Sequence, residues 1–196
     1  MILFDDRLFF VHIPKTAGTT IEESLNKSER LWGRHMSYGD FAEANKNIER
    51  NEWTFFTVVR NPWDRIHSTY QFRKRFSDIT FSQFVEHIKN YFEYQEKGEV
   101  YYINDRTPIP FPHRLVQTFD WWTGGSDNMN YILKFETIKK DAQKFYESTG
   151  YKIDLSTKHQ FNPNRTPYKE AYTSKERKII ESIYGEEIEL FKYSFH

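Results

Sequence analysis

The chain of 196 residues contains no cysteine, which excludes disulfides, a thiolate nucleophile and a zinc–thiolate centre. It has no excess of charge of either sign, because 28 Lys and Arg residues balance 28 Asp and Glu residues. A uniformly basic surface for nucleic acid is therefore excluded, although a local basic patch is not. Every apolar run is shorter than the roughly 18 residues that a membrane span needs.

The N-terminus also lacks the basic start and long apolar run of a signal peptide, since it carries Asp5, Asp6 and Arg7. We therefore expect a cytoplasmic protein with no membrane span and no nucleic-acid partner. Aromatic residues are abundant, with 18 Phe, 13 Tyr and 5 Trp, and each buries a large area. This content and the chain length predict one folded domain over residues 1–196.

Short apolar segments alternate with helical patterns along the chain. Residues 8–13, 54–59 and 131–135 predict buried parallel strands. Periodicity and capping signals predict helices that start near residues 19 and 61 and others over residues 81–97, 136–148 and 173–192. Thr19 with Glu22, and Thr20 with Glu23, match the capping-box pattern. The alternation predicts an α/β domain with a mainly parallel sheet flanked by helices.

The loop after the first predicted strand is a candidate anion site. Such a loop aims backbone N–H groups and the positive end of a helix dipole at one point. Lys15 adds a charge, Gly18 permits close approach, and Thr19 and Thr20 add hydroxyl donors. The pattern differs from the nucleotide-binding GxxxxGK[ST] loop because the lysine precedes the glycine. An ordinary turn with a surface lysine remains the alternative.

A second candidate lies after the second predicted strand. Arg60 follows its carboxyl end, where ligands of open α/β sheets bind, and Ser68 lies about two turns into the next helix. Arginine can form two parallel hydrogen bonds to a phosphate, and serine can donate another. A salt bridge at the strand end is the alternative for Arg60.

These two segments resemble the nucleotide-binding motifs of sulfotransferases that use 3′-phosphoadenosine 5′-phosphosulfate (PAPS). Residues 10–20 are similar to the 5′-phosphosulfate loop of that family, and residues 58–65 with Ser68 and Tyr70 are similar to its 3′-phosphate motif. The likeness is greatest to the carbohydrate sulfotransferases that include heparan sulfate 2-O-sulfotransferase. The resemblance implies a P-loop-like sulfotransferase fold, PAPS as donor, the nucleotide PAP as product, and no metal.

The resemblance also implies roles for individual residues. Arg60 and Ser68 would hold the 3′-phosphate, Arg165 would add a late contact to it, and Lys15 would stabilise the leaving phosphate. The phosphosulfate would be held by Pro14, Lys15, Thr16, Ala17, Gly18, Thr19 and Thr20.

The acceptor hydroxyl must lose a proton as it attacks, and histidine is the usual base near neutral pH. Residues 33–38 resemble the family segment with the catalytic histidine, which implies that His35 is the base. The 2-O-sulfotransferase relatives have a His-Gly-His pair there, whereas Gly33 replaces the first histidine in this chain. His12, inside a predicted strand, is interpreted as a hydrogen-bonded core residue.

Acceptor contacts are predicted for His35, Arg106 and Arg114, with aromatic side chains stacking on sugar rings. The candidates for stacking are Tyr91, Phe92, Tyr94, Tyr101, Tyr102, Trp121 and Trp122. The resemblance thus implies sulfuryl transfer from PAPS to a hydroxyl of a glycan or glycan-containing acceptor. Two other classes fit the same residues: a nucleotide kinase that requires Mg²⁺, and a catalytically inactive nucleotide- or glycan-binding module.

Overall fold

The computed structural model describes residues 2–3, 6–25, 35–72, 78–101, 113–156 and 166–195. The chain divides into two compact units. The sheet unit comprises residues 1–60 and 119–163, and the helical unit comprises residues 61–118 and 164–196. The single domain expected over residues 1–196 stays a prediction.

The strands of the described residues form one sheet in the order β1-β2-β3-β4. They are Ile2–Leu3 (β1), Leu8–Val11 (β2), Thr54–Val59 (β3) and Tyr131–Lys134 (β4). β2, β3 and β4 are parallel, and β1 is antiparallel to β2. Because Val11 pairs with Thr57, the carboxyl ends of β2 and β3 lie at the same edge. The three predicted strands are confirmed, and β1 is too short to give a pattern.

Helices follow the strands in the predicted alternation. In chain order, the described α-helices are Gly18–Leu25 (α1), Tyr38–Ala44 (α2), Pro62–Phe72 (α3), Phe81–Glu96 (α4), His113–Val116 (α5), Phe119–Thr123 (α6), Ile138–Thr149 (α7), Tyr168–Ala171 (α8), Ser174–Ile183 (α9) and Gly185–Phe191 (α10). None of the helices in the described ranges combines the length and apolarity that crossing a bilayer requires.

The sheet is covered by helices on both faces. Leu8 and Phe10 of β2 pack in one core cluster with Ile21 of α1 and Phe145 of α7. Phe9 points to the opposite face, because side chains alternate along a strand. Its ring stacks on that of Phe41 in α2, with centroids 4.4 Å apart. The predicted α/β fold with a mainly parallel sheet flanked by helices is therefore confirmed.

The helical unit has its own core, where the last predicted helix is interrupted. α9 ends at Ile183 and α10 begins at Gly185, because glycine is a poor helix former and Tyr184 leaves helical geometry with a ψ of 20°. Burial raises the pKa of Tyr184, and its hydroxyl donates to the Val116 carbonyl oxygen.

The predicted cap at Thr173 is confirmed by a complete capping box with Glu176.

The predicted capping boxes at the start of α1 are wrong. The helix begins at Gly18, and the Ile21 amide already donates to the Ala17 carbonyl at 3.2 Å. Thr19 and Thr20 therefore lie inside the first turn rather than at the cap. Glu22 is fully buried and bonds to another side chain instead.

Candidate active site

Two hydroxyl groups bond to backbone carbonyls at the end of β2 and in the loop between β2 and α1. Thr57 of β3 donates through Oγ1 to the Val11 carbonyl oxygen at 2.8 Å. Thr16 donates through Oγ1 to the Ile13 carbonyl oxygen, also at 2.8 Å. Both threonines are fully buried. The loop therefore has a fixed starting point at the carboxyl end of the sheet, where ligands of α/β proteins bind.

The backbone of this loop is left-handed at two residues that are not glycine. Lys15 has a φ of 68° and Ala17 a φ of 70°. Such residues cost on the order of 1–3 kcal/mol each and cluster at binding and catalytic sites. Turns of mixed handedness direct successive N–H groups into a concavity that binds anions. The loop thus has a backbone suited to a phosphate or sulfate group, with the half-buried Lys15 as its charged member.

Arg60 holds this loop from the neighbouring strand. It directly follows β3 and is buried, with only 8% of the residue exposed. Its Nη1 donates to the Lys15 carbonyl oxygen at 2.8 Å, and its guanidinium lies 4.1 Å from the centroid of the Phe135 ring. The sequence predicts a phosphate contact for Arg60, and the structure adds a direct bond to the loop itself.

Gly18 is required at the start of α1 because another side chain occupies the space of its missing Cβ. A Cβ at this position would lie 2.0 Å from both Cδ2 and Nε2 of His12. Contacts this short force the imidazole or the helix to move. The sequence predicts close approach at Gly18, and the group that approaches is the His12 ring.

We expect Gly18→Ala to destabilise the protein by about 1–3 kcal/mol, as overpacking of a filled interior does. Chemical denaturation measures this change. Gly39→Ala in α2 is the matched control, because its Cβ would meet only Ser37 Oγ at 3.8 Å. An alanine inside a helix leaves stability unchanged or raises it by up to about 1 kcal/mol. Equal stabilities of the two variants would contradict the role given to the His12 ring.

His35 lies in the sheet unit directly beside His12. Its Nδ1 donates to the His12 carbonyl oxygen at 3.3 Å, and the two ring centroids are 4.3 Å apart. With the proton on Nδ1, the lone pair of the neutral ring is on Nε2, which is the form that a base needs. His35 is half-buried with a left-handed φ of 57°, and its ring centroid lies 6.4 Å from that of Trp122.

His12 is hydrogen-bonded and buried, as its interpretation from the sequence requires. Its Nδ1 bonds to Oε1 of Glu22 at 2.8 Å. The sequence nevertheless misses this partner, because Glu22 also fits a capping pattern. The spacing from Gly18 is the sequence signal that could have identified this partner. Glu22 is four positions after Gly18 and therefore lies one turn further along the same helix face. An acid there points back toward the end of β2.

The sequence of this chain matches a known protein family over nearly its whole length. The model of the sulfotransferase family matches residues 1–194. The chain belongs to the sulfotransferase family. It matches no curated protein and no solved structure. Family membership supports sulfuryl transfer, and it favours this chemistry over the phosphoryl transfer of a nucleotide kinase.

Two of the remaining predicted contacts of this sulfotransferase lie within the described residues. Ser68 is half-buried in α3, and Arg114 is exposed in α5, so both belong to the helical unit. Arg106 and Arg165 lie outside the described residues. No cluster of three or more His, Cys, Asp or Glu side chains suited to a metal ion occurs within the described ranges.

The structure also sorts the aromatic residues that were expected to stack on sugars. Trp122 is fully buried and Tyr91 is 6% exposed, so the expectation of sugar stacking is wrong for both. Trp121 is 37% exposed in α6, and Tyr94 is 38% exposed in α4. Trp121 belongs to the sheet unit and directly precedes Trp122, whose ring centroid lies 6.4 Å from that of His35.

Proposed function

We propose that this sulfotransferase transfers a sulfuryl group from PAPS to a hydroxyl of a glycan or glycan-containing acceptor. The finer assignment rests on the resemblance to the carbohydrate sulfotransferases that include heparan sulfate 2-O-sulfotransferase. The structural observation that supports an anionic donor such as PAPS is the left-handed loop of Lys15 and Ala17 at the end of β2, with the Lys15 carbonyl bonded to Arg60.

The residues of this loop fit an anionic phosphosulfate. Backbone N–H groups at the first turn of α1 are not used by the helix itself, and the helix dipole favours negative charge there. PAPS supplies a sulfuryl group on a nucleotide phosphate that departs readily. Lys15 and the N–H groups stabilise the negative charge that grows on the departing oxygen. Arg60 and Ser68 hold the 3′-phosphate, and Arg165 is proposed for a further contact to it from the sequence alone.

His35 is the proposed base. Its Nε2 accepts the proton of the acceptor hydroxyl, while its Nδ1 keeps its own proton and donates it in a hydrogen bond to the His12 carbonyl oxygen. The buried Trp122 ring next to it limits the positions of the imidazole. Because a hydrogen bond holds Nδ1, the direction of Nε2 stays constant during the transfer.

The proposed acceptor contacts combine an aromatic ring and cationic groups. The exposed Trp121 offers a ring face of the kind that packs against a sugar, and Arg114 offers a charged group for an anionic substituent. Arg106 is proposed for the same role from the sequence alone. An acidic glycan has both a sugar ring that can pack against the tryptophan and an anionic group that can bind the arginine.

The test is a screen with ³⁵S-labelled PAPS against polysaccharides, oligosaccharides and small glycosides, with a simple phenol as the non-glycan control. We expect labelled glycan product, and we expect the rate to be unchanged by EDTA. Calorimetry should show that PAP binds. PAP binding without any labelled product would support an inactive binding module, and EDTA-sensitive transfer from ATP would support a kinase. Labelling of the phenol alone would refute the glycan acceptor.

A further inference from the structure

His12 and Glu22 form a buried polar pair within the sheet unit. Glu22 is fully buried in α1, and His12 is 4% exposed. Glutamate is almost never fully buried unless it is paired, and burying its charge costs several kcal/mol. The bond of 2.8 Å between the two side chains offsets this cost. Since apolar residues of similar size pack as well or better, stability alone does not account for such a pair.

The His12 ring is held along two of its edges and against a neighbouring ring. Its Nδ1 edge bonds to Glu22, and its Cδ2 and Nε2 edge lies against Gly18. The Phe10 ring stacks nearly parallel to it, with centroids 5.6 Å apart and planes 11° apart. The first turns of α1 therefore set both the position and the rotation of this imidazole.

His35 in turn depends on His12 through two contacts. The His12 carbonyl accepts its Nδ1 proton at 3.3 Å, and the His12 ring packs against its ring at 4.3 Å between centroids. The left-handed φ of 57° at His35 is a conformation that surrounding contacts must maintain. A change in the His12 ring therefore reaches the proposed base directly.

We propose that Glu22 and His12 are positioning residues for the transfer reaction. Glu22 fixes the His12 ring, and His12 fixes the orientation and the tautomer of His35, so that Nε2 of His35 carries the lone pair. The inference rests on the proposed function, because it assigns this nitrogen the task of accepting the acceptor proton. Neither Glu22 nor His12 exchanges a proton with substrate in this scheme.

Glu22→Gln tests whether the Glu22 carboxylate fixes the His12 ring, because it keeps the shape of the side chain and removes the carboxylate. We expect kcat to fall by about 10- to 100-fold, as a small misplacement of a reacting group causes, while the Kd of PAP changes less than about twofold. Glu23→Gln is the matched control. It makes the same change on the neighbouring, exposed residue of α1 and should leave both constants unchanged.

A double-mutant cycle tests whether Glu22 acts through His12. If it does, adding Glu22→Gln to His12→Gln causes no further loss of kcat. Multiplied losses in the double variant would contradict the proposed order of contacts.

The ring ¹⁵N spectrum of histidine-labelled protein provides a readout that needs no turnover. In the wild-type protein without donor we expect a proton on Nδ1 of His35 and none on Nε2, with the signals assigned by their loss in His35→Gln. Glu22→Gln should shift the His35 signals, and Glu23→Gln should not. If Glu22→Gln fails to fold, the wild-type spectrum alone decides, since a proton on Nε2 of neutral His35 overturns the proposal.

The outcomes separate this inference from the proposed function. If no acceptor is sulfated but Glu22→Gln alone shifts the His35 signals, the proposed function fails and the positioning of His35 stands. If transfer is observed and Glu22→Gln has wild-type kcat and wild-type His35 signals, the positioning role is refuted and the proposed function stands.

Discussion

Lys15→Ala is expected to lower kcat/KM for sulfuryl transfer by about 100- to 1000-fold, the usual loss when one group that stabilises transition-state charge is removed. The substitution keeps a Cβ, so the left-handed backbone at this position is retained with a similar cost. It therefore removes the ammonium group and leaves the loop in place. Steady-state kinetics with the acceptor found in the screen measure this loss.

Lys144→Ala in α7 is the matched control for Lys15→Ala in the same unit. It removes an exposed lysine and should leave the rate of transfer unchanged. Lys15→Ala should also weaken PAP binding measured by calorimetry, because a charged contact is removed. Wild-type kcat/KM in the Lys15→Ala variant would show that the leaving phosphate is stabilised by other groups.

His35→Ala is expected to lower kcat by about 100- to 10,000-fold, which is the range that a general base contributes. PAP should still bind, because the loop of Lys15 and the bond from Arg60 do not involve the His35 side chain. Turnover and PAP calorimetry on the same preparation measure both quantities. The combination of a large loss in kcat and a retained Kd distinguishes the base from a donor contact.

Two further measurements define the role of His35. His35→Gln fills the space of the ring without a basic nitrogen, so its kcat should fall as far as that of His35→Ala. Added imidazole should restore part of the rate of His35→Ala and none of the rate of Lys15→Ala. Wild-type turnover in either His35 variant would remove this residue from the mechanism.

The sheet and the loop after β2 could be predicted because local patterns are sufficient for them. The segment at residues 54–59 contains only strand formers and is the strand β3 from end to end. Asn61 and Pro62 predict a helix start, and the Asn61 side chain indeed accepts from the Trp63 amide at 3.1 Å. The position of Arg60 at the strand end follows from these two boundaries.

The pair of His12 and Glu22 could not be predicted, because it depends on a tertiary contact. A histidine at the end of an apolar strand indicates only burial, and a glutamate in a first or second turn fits capping equally well. The deciding fact is that the loop brings the face of α1 with Gly18 and Glu22 onto the His12 ring. The fold of the loop, rather than the spacing of the two residues, creates the pair.

The long-range bonds at the loop have a consequence for the folding equilibrium. The bonds from Thr57 and Arg60 join residues 46 and 45 positions apart in the chain. Bringing such distant residues together costs chain entropy, and short-range contacts do not offset this cost. The loop of Lys15 therefore has this bonded shape only in chains in which β3 has paired with β2. A nucleotide that binds this shape selects chains whose sheet is already assembled and shifts the folding equilibrium toward them by mass action.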